Sequence, residues 1–193
     1  MTATQTTQFT GERTSIPGLL TFGITSIDDS RGWFQEMFQH EKLVAAGMPA
    51  DFQVVQNSLS FNRRRGVTRG FHAEPWDKYI SVVAGSVFVA YVDLREGETF
   101  GRIETRELDH TEAVFVPEGV ANSFQTLTDD TYYLYSVNHH WNGEDTDRYA
   151  FVNLADPDIA IQWPIGLDAA VLSDRDRQHP AMRDVTPLRV AKR

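Results

Sequence analysis

Arg65-Gly66-Val67-Thr68-Arg69-Gly70-Phe71-His72-Ala73-Glu74-Pro75-Trp76-Asp77-Lys78 runs straight into Tyr79-Ile80-Ser81-Val82-Val83. Two glycines and a proline set the bends. The residues that follow are mostly β-branched or aromatic, which is strand composition. The same alternation of strand-like runs and turn signals extends in both directions. Downstream, strands are expected over residues 78–84, 87–94, 101–108, 113–116, 124–127 and 131–138. Phe88, Ala90, Val92 and Leu94 share one face by the period-two rule. Upstream, strands are expected over 19–25, 33–38, 52–62 and 67–71, with a short helix over 40–46 closed by Gly47 and Pro49.

Turns recur at roughly ten-residue spacing, the pattern of an all-β sandwich or barrel. Strands do not alternate with helices, which argues against a doubly wound sheet. From Asn153 onward the pattern changes. Ala155-Asp156-Pro157-Asp158, Trp163-Pro164 and His179-Pro180 punctuate a segment of little periodicity. It reads as an ordered arm with short helical turns. No linker or internal repeat divides the 193 residues. The expectation is therefore one domain over 1–193, with its core at about 19–152 and the arm at 153–193.

Composition narrows the function. The net charge of −9 argues against non-specific nucleic-acid binding. Arg63, Arg64, Arg65, Arg69 and Lys78 nonetheless gather positive charge in one window, which favours a defined anionic ligand. The chain has no cysteine, so disulfides, thiolate nucleophiles and Cys-ligated zinc are excluded. No run of about eighteen apolar residues is present to span a membrane. The polar, Thr-rich start over residues 1–16 lacks a signal-peptide pattern, and a cytoplasmic location is expected.

The chemistry of the opening stretch is acid-base. His72 is a base near neutral pH. Lys78 can neutralise an oxyanion, and the planar fork of Arg69 can hold a phosphate. Together they suit proton abstraction beside a carbonyl on an anionic substrate. Strict alternation puts Gly70 and His72 on one face and Arg69 on the other, so Arg69 must reach the same site from a bend. A metal is not expected. His72 has only Glu74 nearby in its motif, Asn122 stands where a second His would be needed, and the adjacent His139 and His140 point to opposite faces. Glycine-rich phosphate loops and the Gly-x-Ser-x-Gly elbow are missing.

Several motifs, in order, resemble those of the dTDP-4-dehydrorhamnose 3,5-epimerase family. They are Ser30-Arg31-Gly32-Trp33-Phe34-Gln35-Glu36, Arg69-Gly70-Phe71-His72-Ala73-Glu74-Pro75-Trp76-Asp77-Lys78, Val92-Asp93-Leu94-Arg95-Glu96-Gly97, Phe115-Val116-Pro117-Glu118-Gly119-Val120-Ala121-Asn122, Leu134-Tyr135 and Leu172-Ser173-Asp174-Arg175-Asp176. The resemblance implies a cupin-like jelly-roll β-sandwich, usually a homodimer, with no metal or organic cofactor. It implies a dTDP-linked 4-keto-6-deoxyhexose as substrate, inverted at C3 and C5 through an enolate.

By the same resemblance His72 matches the general base, Tyr135 the acid, Asp176 the carboxylate that orients the base, and Lys78 the group near the enolate oxygen. A Lys78 charge beside Tyr135 would lower its pKa. Arg31, Phe34, Glu36, Gln56, Asn57, Ser58, Arg69, Asn122, Trp141 and Arg175 match substrate-binding positions. Ser58 replaces the Asn of many members, Asn122 a His, and Thr68 a more usual aliphatic residue. Two other readings remain open from sequence: a mono-epimerase of another dTDP-keto-sugar, and a non-catalytic sugar-binding cupin. The dimer expectation has a physical basis too, since sandwiches leave strand edges exposed. The Thr-rich start is a candidate to pair with a neighbour's sheet.

Overall fold

The computed structural model describes residues 6–142 and 148–190, so the first five residues of the Thr-rich start lie outside it. Thirteen strands are described in chain order. They are β1 (Phe9–Arg13), β2 (Leu20–Ile24), β3 (Ile27–Asp29), β4 (Gly32–Phe34), β5 (Gln56–Asn62), β6 (Thr68–Ala73), β7 (Lys78–Ala84), β8 (Val87–Asp93), β9 (Ile103–Leu108), β10 (Glu112–Val116), β11 (Val120–Thr126), β12 (Thr131–Val137) and β13 (Ala150–Phe151). Two short helices accompany them, α1 (His40–Ala45) and α2 (Asp174–Arg177), with a 3-10 turn at Met182–Asp184.

The strands form a six-stranded sheet, β1-β2-β10-β7-β12-β5, and a five-stranded sheet, β13-β6-β11-β8-β9. β3 and β4 form a separate hairpin. The all-β sandwich expected from turn spacing is the observed class. β1 pairs with β2 of its own chain and forms one edge of the six-stranded sheet.

Side-chain alternation sorts the core into three layers. Between the sheets lie Ile80, Val82, Val114 and Val116 from one side and Val87, Val89, Tyr91, Val120 and Phe124 from the other. The outer face of the five-stranded sheet carries Phe71, Ala73, Ala90, Val92 and Leu94, covered by Val152, Leu154, Ile159 and Met182 of the arm. Phe88 packs against the same cluster, so the predicted shared face is real, and the arm covers it. The outer face of the six-stranded sheet buries Phe22, Tyr79, Ala113 and Phe115 under Leu43, Met48 and Phe52 of the α1 region.

Three expected boundaries moved, each for a local reason. The strand expected over 33–38 stops at Phe34, because its partner β3 has three residues and the ladder runs out. Phe52 belongs to the α1 layer, and pairing with β12 begins only at Gln56. β11 starts at Val120, four residues before the expected 124. Its small and polar residues Ala121, Asn122 and Ser123 conceal a strand that is buried on both faces.

Candidate active site

The site is built where β6 and β11 of one sheet meet β7 and β12 of the other near one end of their strands, joined across the sandwich by Lys78 and Asn122. The register between β6 and β11 decides its layout. Asn122 pairs with His72, but Phe124 pairs with Arg69, so three steps of β6 oppose two of β11. This bulge turns Arg69 to the same side as His72. Gly70 makes it possible: its φ is +120°, and a Cβ there would lie 2.5 Å from the Ser123 Cβ and 2.7 Å from the Asn122 carbonyl oxygen. Arg69 uses its Nε to donate to Asn62 Oδ1 at 3.1 Å.

Asp176 arrives from the arm. Val171 exchanges backbone bonds with the start of β6, through Val171 N to Gly66 O and Thr68 N to Val171 O, both at 2.9 Å. α2 follows, capped by Ser173, whose hydroxyl accepts from Asp176 N at 3.1 Å. The Asp176 carboxylate then meets His72 Nε2 at 3.0 Å. Burial raises the Asp176 pKa, but the His72 bond and charge, the Ser173 bond and the nearby His179 outweigh it and leave it below the usual carboxylate value. With Asp176 ionised, Nε2–H of His72 is the donor and the lone pair falls on Nδ1.

Lys78 opens β7 on the inner face, 2 % exposed, and donates to Glu74 Oε2 and Asn122 Oδ1. Burial depresses its pKa, and the Glu74 carboxylate pulls it partly back. Tyr135 lies on the inner face of β12, paired with Ile80 and packed against the inter-sheet core. Its neighbours separate by the same rule. Tyr133 is buried in the core, while Tyr132 is on the outer face against Phe61, ring centroids 4.8 Å apart. The Tyr135 pKa is raised by burial first, then by Glu74; Arg69 lowers it and Asp176 raises it further. The expected lowering by Lys78 is not what governs this phenol, because Glu74 stands beside that ammonium as its counter-charge.

Other expected residues divide. Gln56 and Ser58 stand opposite Val137 and Tyr135 on the inner face, joined by a 3.1 Å bond from Gln56 Nε2 to Ser58 Oγ. Gln56 Oε1 also accepts from Trp141 N at 2.9 Å. Asn57 faces the other way, accepting from Ser136 Oγ at 2.7 Å. Arg175 lies over the Phe151 ring at 5.1 Å, and Phe151 packs edge-on against His72 at 5.5 Å.

Arg31, Phe34 and Glu36 are not brought to this end. Trp33 of their hairpin stacks on His110 at 4.6 Å, just before β10 begins. Lys78 pairs with Val116 where β10 finishes, roughly 13 Å along the strand. Arg31 pairs with Asp29, Glu36 with Lys42, and Phe34 is 65 % exposed.

Two residues were not anticipated. Glu74, considered only as a metal ligand, is the partner of Lys78; its four-residue spacing from Lys78 was the available signal. His179, read as chain punctuation, is buried beside the pair. Its ring lies 5.3 Å from that of His72, and its Nε2 is 3.8 Å from Asp176 Oδ1. Nothing local in the sequence marks that contact.

The site therefore offers an oriented imidazole, a buried cation and a buried phenol. Comparison with known proteins agrees with this chemistry. The dTDP-4-dehydrorhamnose 3,5-epimerase family matches residues 13–184. A Streptococcus pyogenes protein named RmlC homolog is 50 % identical, covering 90 % of this chain and 89 % of its own. The dTDP-4-dehydrorhamnose 3,5-epimerase of Mycobacterium tuberculosis is 36 % identical over 88 % of this chain and 86 % of its own. The structure of RmlC from Streptococcus suis in complex with dTDP-D-xylose superposes with a TM-score of 0.89 at 47 % identity, covering 94 % of this chain and 95 % of that one. The cupin-like sandwich is shared over that span.

Proposed function

The chain belongs to the dTDP-4-dehydrorhamnose 3,5-epimerase family of isomerases, and from that premise we propose how its residues invert C3 and C5 of a dTDP-linked 4-keto-6-deoxyhexose. The observation that carries the assignment is the His72–Asp176 bond, with Nδ1 of His72 left free to accept a proton.

A proton beside a ketone is weakly acidic, so the enolate must be stabilised as it forms. Lys78 supplies that charge at O4. Its Nζ gives one N–H to Glu74 and one to Asn122, and the third remains for substrate. Asp176 fixes the His72 tautomer and stabilises the imidazolium that results. Inversion needs protonation from the opposite face. Tyr135 serves there, and its raised pKa keeps the phenol protonated until the enolate takes the proton. Arg69 and Arg175 hold the pyrophosphate, supplying binding energy remote from the reacting carbons. Gln56, Ser58, Asn122 and Trp141 line the sugar and nucleotide path.

Arg31, Phe34 and Glu36 act as substrate-binding residues only if a second copy presents them. We therefore read the enzyme as a homodimer, which is also consistent with the apolar outer face formed by Leu59 and Phe61, 57 % and 41 % exposed. Residues 1–193 form one domain in this reading. The reaction needs no metal or organic cofactor, nucleic acid or membrane partner, and the cysteine-free chain works in the cytoplasm. No helix among the described residues is long and apolar enough to cross a membrane.

The test is proton NMR of dTDP-4-keto-6-deoxyglucose incubated with enzyme in deuterated water. Exchange and inversion at both C3 and C5 are expected. Exchange at one carbon would make the enzyme a mono-epimerase, and binding without exchange a sugar-binding protein.

A further inference from the structure

His72, Asp176 and His179 converge from two distant parts of the chain, β6 and the arm. One donor atom from each lies within 4.8 Å of the other two. His72 Nε2 is 3.0 Å and His179 Nε2 3.8 Å from the same carboxylate oxygen, Asp176 Oδ1. Donors around a tetrahedral zinc ion, with bonds of about 2.0–2.1 Å, sit about 3.3–3.4 Å apart. The two distances bracket that value, and the two histidine donors lie within 4.8 Å of each other, so side-chain rotations that draw the imidazoles together would bring the three atoms onto one ion.

His179 supplies an independent observation. It is 8 % exposed, and its ring nitrogens have only loose polar neighbours, the Gly70 backbone and Asp176 Oδ1 at 3.8 Å from Nε2. Buried polar atoms held this loosely call for an explanation, a bound ion or water among them. The ring is well held, against Phe151 at 4.7 Å, and its own carbonyl accepts from Asn153 Nδ2 at 3.1 Å.

We propose that His72, Asp176 and His179 form a capture site for a zinc-class divalent ion, and that its occupation switches the enzyme off. Two imidazoles and one carboxylate suit zinc, cobalt or nickel rather than magnesium or calcium. An ion on Nε2 of His72 replaces the hydrogen bond to Asp176 and leaves the imidazole's remaining proton on Nδ1. Nδ1 is the atom that must accept the substrate's proton, so the metallated ring has no free lone pair for the reaction. The site goes beyond the epimerase reading and depends on it only for the effect on activity.

The experiment uses the untagged full-length enzyme. Zinc chloride is titrated by calorimetry, cobalt(II) binding is followed by visible absorption, and proton exchange is followed by NMR. One zinc per chain should bind and inhibit exchange, EDTA should restore it, and magnesium should do neither. His179→Gln should weaken zinc affinity at least about tenfold, and zinc inhibition of the exchange that the variant retains should weaken in parallel. Asp176→Asn, titrated by calorimetry alone, should weaken binding as well and serves if His179→Gln does not fold. The absence of saturable zinc binding, or binding that survives both substitutions, would overturn the site. Binding that requires both residues but leaves exchange uninhibited would overturn the proposed switch and the place of His72 in the site.

Discussion

Arg69 and His72, three residues apart on β6, point to the same side of the sheet because the strand carries a bulge against β11. In a regular strand they would face opposite ways. The proposed phosphate anchor and the proposed base share one face of β6 only through that irregularity.

Gly70→Ala tests the bulge. The added Cβ would meet Ser123 and Asn122 at less than 3 Å, on a backbone with φ near +120°. The strain should destabilise the protein by about 1–3 kcal/mol, and activity should fall in the fraction that remains folded. Denaturant unfolding and exchange kinetics measure the two effects. A variant with native stability and activity would mean the bulge is dispensable.

Asp176→Asn should leave the fold intact and cut proton exchange by about 10²–10⁴-fold, because the amide no longer fixes the base tautomer. Circular dichroism and NMR exchange rates check this. A loss smaller than tenfold would show that His72 is oriented by other groups.

The pH dependence follows from Lys78. The proposed reaction requires the cation, so activity should be lost as pH rises through its folded pKa, which burial has lowered. Glu74 acts in the opposite direction and holds the cation charged. Glu74→Gln removes that charge, so the alkaline limb of kcat/KM should move to lower pH by about 1 or more. Tyr135 stays protonated over the same range, since its pKa is raised. An unmoved limb would exclude Lys78 as its source.

Much of this arrangement was readable from the chain. Strand spacing carried the sandwich, and the motif around His72 carried the imidazole and the buried cation of the candidate site. Contacts made by the arm were not readable. Asp176 and His72 are 104 residues apart, and a solvated Ser-Asp-Arg-Asp turn looks no different from a capped helix aimed at a histidine. The bulge was hidden because alternation assumes a regular ladder. Arg31, Phe34 and Glu36 were assigned by motif alone, and a motif carries no information about which copy of the chain supplies a residue.

The dimer reading is tested on the outer face of β5. Leu59→Lys together with Phe61→Lys should convert a dimer into a monomer in light scattering. It should also raise KM sharply, since Arg31 and Phe34 would no longer reach a partner's site. A monomeric wild type, or a monomeric variant with native KM, would contradict it.

The central claim is that His72 and Tyr135 work on opposite faces of one enolate, and Tyr135→Phe in deuterated water tests it most directly. The substitution keeps the base, the cation and nearly all the packing, and removes only the phenolic proton. The account predicts that substrate still gains deuterium at the exchanging carbons but keeps its configuration, with inversion slowed by about 10²–10⁴-fold. Inversion at the native rate would contradict it, as would loss of exchange and inversion together.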